Sequence, residues 1–148
     1  MPDAHRMGRG VPKGVIEMLA AVPLLSACSK KELRQIAGLG TPVKVKDGAV
    51  LTEQGRPGSE FFLVLDGKAR CLVDGALVAR FGPGDYFGEM ALLEGGPRHD
   101  TVIAEGPMDV LDVERREFWS LLEAAPSIPL KLLVALAQRE RANATIRS

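Results

Sequence analysis

Between positions 41 and 113 the apolar residues come in short runs separated by turn signals. These signals are Asp47-Gly48, the stretch from Gly55 to Gly58, Asp66-Gly67, Asp74-Gly75, the stretch from Gly82 to Gly84, Gly95-Gly96 and Gly106-Pro107. The runs themselves cover 43–46, 49–53, 61–65, 69–73, 77–81, 102–104 and 110–113. Short β-rich runs at regular spacing predict a sandwich or barrel. Asp74-Gly75 between two such runs predicts a tight hairpin. In 61–65 the residues Phe61, Leu63 and Leu65 alternate with Phe62 and Val64, so neither face is polar. A strand of that kind is buried on both sides and belongs at the centre of a sheet.

The periodicity changes outside this region. Val15, Ile16, Leu19 and Ala20 fall at helical spacing within 13–21, and Pro23 ends that segment. Ser29 followed by Glu32 forms a capping-box pattern and predicts a helix to about Ala37, stopped by Gly38 or Gly40. Beyond Val113, Phe118, Leu121 and Leu122 share one face of a predicted helix over 115–123, with Trp119 beside them. Pro126 breaks it. Ser127 is placed to cap a last helix with Pro129 in its first turn. That helix is apolar over 128–136 and polar from Ala137 onward. Residues 1–12, with Pro2, Gly8, Gly10 and Pro12, read as a disordered leader before one domain over 13–148. The fold class expected is mainly β with flanking helices.

Composition narrows the function. A chain of 148 residues buries roughly 70% of its unfolded surface, enough for one core. The formal net charge is +0, so no global field draws it to nucleic acid or an anionic membrane. Cys28 and Cys71 fit no metal knuckle and no disulfide framework, and reduced thiols in a cytoplasmic protein are expected. No apolar stretch reaches the roughly 18 residues of a membrane span. Of the two histidines, His5 lies in the leader, so no histidine-based metal centre is expected. Asp85, Glu89 and Glu94 are acidic but lack a regular cation loop. His99 has no evident serine partner, so no nucleophile–base pair is visible and no enzyme is expected.

The chemistry concentrates in 82–102. Glu89 and Arg98 stand nine positions apart in a glycine-rich segment between two strand-like runs. Four good helix formers, 90–93, follow Gly88 closely. A short helix there directs free N–H groups forward. With an arginine for an anion and a carboxylate for hydroxyls, these parts suit a sugar phosphate. Taken singly, Arg98 also reads as a solvated turn residue, and Glu89 as a helix N-terminal carboxylate.

Phe87-Gly88-Glu89-Met90-Ala91-Leu92, Pro97-Arg98 and Thr101-Val102 together resemble the phosphate-binding cassette of the cyclic nucleotide-binding domain family. That family includes the catabolite activator protein and the regulatory subunit of protein kinase A. The resemblance runs from about Leu19 to the C-terminus. It implies a jelly-roll-like double-stranded β-helix with N-terminal helices and two C-terminal helices. It also implies that Glu89 accepts from the ribose 2′-hydroxyl and that Arg98 pairs with the cyclic phosphate. Gly88 and Ala91 would allow close backbone approach, and Met90 belongs to the same ligand-binding stretch. Thr101 matches the family's threonine or serine, and reads equally as a strand residue.

His99 and Asp100 depart from the small pair that cyclic AMP binders carry. In the family the second of these positions donates its N–H to the phosphate. A carboxylate about 6 Å from it, at a dielectric near 20, repels by roughly 3 kcal/mol, about a hundredfold in affinity. Protonated His99 offsets this, and the two side chains can pair with each other or face solvent. The last helix would pass over the purine, where Arg139, Asn143 and Thr145 are the polar candidates. The function implied is a sensor for a cyclic nucleotide, cyclic AMP first and cyclic GMP second. It would signal through its C-terminal helices to a protein partner or by self-association, without a DNA-binding or catalytic module. The alternative is a degenerate domain that serves protein interaction or dimerisation.

Overall fold

The computed structural model describes residues 4–6 and 14–147, with side chains described for 14–138. Among these residues are nine strands and five helices: one strand and two helices lead into a β-roll that contains a third helix, and two helices follow it. The helices are α1 (Val15–Ala20), α2 (Lys30–Leu39), α3 (Glu89–Glu94), α4 (Arg115–Ala124) and α5 (Ser127–Arg147), with a 3-10 turn at Pro23–Leu25. The strands are β1 (Ala4–Arg6), β2 (Thr41–Val45), β3 (Val50–Thr52), β4 (Glu60–Asp66), β5 (Ala69–Val73), β6 (Ala76–Phe81), β7 (Tyr86–Phe87), β8 (Thr101–Ala104) and β9 (Met108–Glu114). They form two antiparallel sheets, ordered β1-β2-β9-β4-β7 and β3-β8-β5-β6.

The alternation in β4 explains the layering. Phe61, Leu63 and Leu65 face a core shared with α1, α2, α4 and α5, through Leu19, Ile36, Phe118, Leu121 and Ile128. Phe62 and Val64 face the second sheet, whose Cys71 and Val102 share a core cluster with them and with Phe87 and Val110 of their own sheet. β4 lies between β9 and β7, and Phe61 to Val64 are fully buried. Each of the two faces therefore has its own apolar partner layer.

Local signals set the boundaries. The Ser29 N–H donates to Glu32 Oε1 at 2.8 Å, and Glu32 N–H donates to Ser29 Oγ at 3.1 Å, completing the capping box. Asp74 and Gly75 both adopt positive φ, 51° and 80°, in the β5–β6 hairpin. Three residues of the expected disordered leader, Ala4–Arg6, instead form an edge strand on β2. Ser127 is the first residue of α5 rather than the residue before it. β7 is only two residues long, too short for periodicity to mark. It matters because Phe62 pairs with Phe87 and Leu63 with Tyr86. That register delivers Gly88 and Glu89 to the start of β4. No single helix among the described residues is long and apolar enough to cross a membrane.

Candidate functional site

The structure gathers Gly88, Glu89, Met90, Ala91, Arg98, His99, Asp100 and Thr101 along α3 and the loop from Gly95 to β8. Glu89, Ala91 and Arg98 are buried, at 3%, 2% and 6% exposure. An arginine and a glutamate are rarely hidden so deeply unless they have partners. Arg98 Nη1 donates to the Gly88 carbonyl at 3.1 Å and Nη2 to the Glu60 carbonyl at 2.8 Å. The guanidinium therefore bridges the N-terminus of α3 and the start of β4. Burial pulls its pKa below the ordinary value, and the carboxylates of Glu60, Asp100 and Glu89 oppose that pull. Arginine stays a cation throughout.

Two glycines make the space. A Cβ on Gly58 would lie 1.8 Å from Arg98 Nε, and one on Gly88 would lie 2.6 Å from the Glu60 carbonyl oxygen and 2.9 Å from Arg98 Nη1. Gly88 also has φ +94°, the left-handed region that favours glycine. As N-cap it leaves the first N–H groups of α3 to other acceptors.

The loop carrying Arg98 is stitched to the segment after β3. Arg98 N–H donates to the Arg56 carbonyl, and Gly55 N–H to the Arg98 carbonyl, both at 2.9 Å. Gln54 N–H donates to Thr101 Oγ1 at 3.0 Å, and Val102 N–H to Thr52 Oγ1 at 3.1 Å. Thr101 thus has a structural task on this strand end. A cleft of about 400 Å³ opens between β3, the 53–60 loop and Arg98, lined among others by Thr52, Arg56, Gly58 and Glu60. Gly88 and Glu89 do not line it.

His99 and Asp100 diverge. His99 Nε2 lies 3.0 Å from Glu94 Oε2 at the surface, so the pairing of His99 with Asp100 considered from sequence does not occur. Asp100 turns inward, with Oδ2 3.3 Å from Cys71 Sγ. Asn143, with Arg139 and Thr145, lies outside the residues whose side chains are described.

Beneath Arg98 the carboxylates of Glu60, Asp112 and Glu114 lie within 4.8 Å of one another. They are not the Asp85, Glu89 and Glu94 group suggested by sequence. Burial, a hydrogen bond to Glu60 and the charges of Glu60, Glu114 and Glu117 push Asp112 up to about 9. Asp112 is accordingly protonated at neutral pH. The folded chain holds a proton that the unfolded chain releases above about 4, so this group's contribution to stability falls as pH rises from about 4 to about 9. Asp112→Asn, which keeps a neutral donor for Glu60, should stabilise the protein by about 1–3 kcal/mol at pH 8. The gain should vanish near pH 4. Urea unfolding at the two pH values checks this.

Sequence reasoning missed Gly58, Glu60, Thr52 and Cys71 as parts of the site. Gly58 was visible only as one of a cluster of turn glycines. Thr52 and Cys71 reach the site through strand pairing with β8, and Glu60 through a carbonyl that accepts from Arg98, none of which a local pattern reveals.

Comparison with known proteins bears on the fold. The family model described as cyclic nucleotide-binding domain matches residues 42–125. The cAMP-dependent protein kinase regulatory subunit of Dictyostelium discoideum is 33% identical over 110 residues, covering 69% of this chain and 34% of that protein. The chain thus spans about a third of that relative's length. A cAMP-bound PfPKA-R structure superposes with a TM-score of 0.78 at 27% identity, covering 90% of this chain and 46% of that one. The catabolite activator protein of Thermus thermophilus gives a TM-score of 0.76 at 27% identity, covering 83% and 60%.

Proposed function

The chain belongs to the cyclic nucleotide-binding domain family, and we propose that it is a sensor that binds cyclic AMP at α3 and the Arg98 loop without transforming it. The observation that carries this reading is a buried arginine held on the Gly88 carbonyl next to a buried glutamate at the start of α3. Arg98 presents a planar cation to a cyclic phosphate, and Glu89 accepts from a ribose hydroxyl. Gly88 and Ala91 let the backbone approach. Similarity to regulatory subunits and to a cAMP-bound structure supports the ligand class.

The fold offers a route from ligand to output. A Cβ on Gly84, in the loop leading into β7, would lie 3.3 Å from Pro23 Cδ, so that loop rests on the 3-10 turn. Lys131 of α5 donates to the Pro23 carbonyl at 2.9 Å and to Ser26 Oγ. Movement of α3 and β7 on binding would reach α5 through this turn. Leu130, Leu133 and Val134 of α5 are exposed, and their burial against a protein partner or a second copy would carry the signal onward.

Glu89 provides the test. The 2′-deoxy analogue should bind more weakly than cyclic AMP by about 1–3 kcal/mol, because the contact between the ribose hydroxyl and Glu89 is lost. Glu89→Ala should bind the two almost equally, as read by calorimetry. Full discrimination in that variant would remove Glu89 from the site. The interaction-module reading draws on one observation, the acidic Asp100 within electrostatic reach of Arg98.

A further inference from the structure

Asp100 occupies the position where a carboxylate is least expected beside a phosphate, yet its side chain faces inward. Its Oδ2 lies 3.3 Å from Sγ of Cys71 on β5, a residue only 3% exposed. Thr52 Oγ1, on β3, donates to the Asp100 carbonyl at 3.2 Å, with Oδ1 at 3.5 Å, while accepting from Val102 N–H. One residue therefore joins the Arg98 loop to two strands, β3 and β5, that flank β8 in the second sheet. The thiol donates to this carboxylate, and a small apolar residue at 100 would offer it no acceptor there, whereas the Thr52 hydroxyl would keep the backbone carbonyl.

We propose that Asp100 is a positioning residue, a clasp that fixes the Arg98 loop in its binding geometry through Cys71 and Thr52, and that this role outweighs its repulsion of the ligand phosphate. The proposal rests on the cyclic nucleotide reading above. It separates two effects of one side chain. The negative charge opposes an incoming anion, whereas the acceptor geometry holds the loop ready so that less ordering remains for the ligand to impose.

Asp100→Asn and Asp100→Ala remove the same charge, but only asparagine keeps an acceptor oxygen for Cys71. Asp100→Asn should bind cyclic AMP more tightly than the parent, by several-fold. Asp100→Ala should bind about tenfold more weakly than Asp100→Asn, and its loss should be equal for cyclic AMP and the 2′-deoxy analogue, because Glu89 is untouched. The Cys71→Ala change should weaken Asp100→Asn but have almost no further effect in Asp100→Ala. If Asp100→Ala binds as tightly as Asp100→Asn, the clasp is refuted and the side chain acts through charge alone. Hydrogen exchange of the Thr101 and Val102 amides in the ligand-free protein tests the clasp without nucleotide. Protection should persist in Asp100→Asn and fall in Asp100→Ala. Unchanged protection in both would also refute it. If no variant binds any cyclic nucleotide, the ligand assignment fails and hydrogen exchange decides the clasp.

Discussion

Arg98→Ala should lower affinity for cyclic AMP by more than about a hundredfold. Removing one member of a buried charge pair costs about 3–5 kcal/mol, and each 1.4 kcal/mol is tenfold in affinity. The structure adds a second consequence. The guanidinium is the donor for the Gly88 and Glu60 carbonyls, so its loss should also cost about 1–3 kcal/mol of stability. The fold should survive, because the two apolar cores do not include Arg98. Arg98→Lys should recover little binding. An ammonium cannot reproduce the planar fork that reaches both carbonyls and a phosphate together. Denaturant unfolding and calorimetry on the same preparations separate the two effects.

Gly88→Ala is the second large effect. A Cβ there meets the Glu60 carbonyl oxygen at 2.6 Å, which is backbone in the buried strand β4 and cannot swing aside. Left-handed φ adds roughly 1–2 kcal/mol for any residue with a Cβ. Together with overpacking, the expected destabilisation is about 2–4 kcal/mol. Affinity should fall at least about tenfold, because the same Cβ would also press on Arg98 Nη1 at 2.9 Å. Gly95→Ala is the internal control. It shares positive φ, +76°, but its Cβ meets nothing within 4 Å. It should cost only the backbone strain, about 1 kcal/mol, and leave affinity unchanged. Equal losses in the two variants, measured by urea unfolding, would show that the clash at Gly88 is absorbed.

The sequence carried the layering well, because the responsible signals are local. The two-faced run of Phe61 to Leu65 predicted a central strand, and β4 is one. Ser29 with Glu32 predicted a capped helix, and both hydrogen bonds form. Gly88, Glu89 and Arg98 were recognisable because they form a compact pattern that the structure brings together. Long-range partners were not legible. Nothing near Asp100 in the chain indicates Cys71 or Thr52, 29 and 48 positions away. From sequence, Asp100 was expected to repel the phosphate with His99 offsetting it, to pair with His99, or to face solvent. Its actual orientation depends on donors supplied by β3 and β5. Glu60 was hidden for the same reason, since its backbone carbonyl, rather than its side chain, receives Arg98.

Phosphate binding by Arg98 is the proposal on which the other expected effects on affinity depend. The most direct measurement is a calorimetric titration of the unmodified protein and of Arg98→Ala with cyclic AMP, with cyclic GMP alongside. Saturable binding at one site per chain is expected in the unmodified protein, weakened more than about a hundredfold in Arg98→Ala. No saturable binding to the unmodified protein, or equal binding to both, would contradict it.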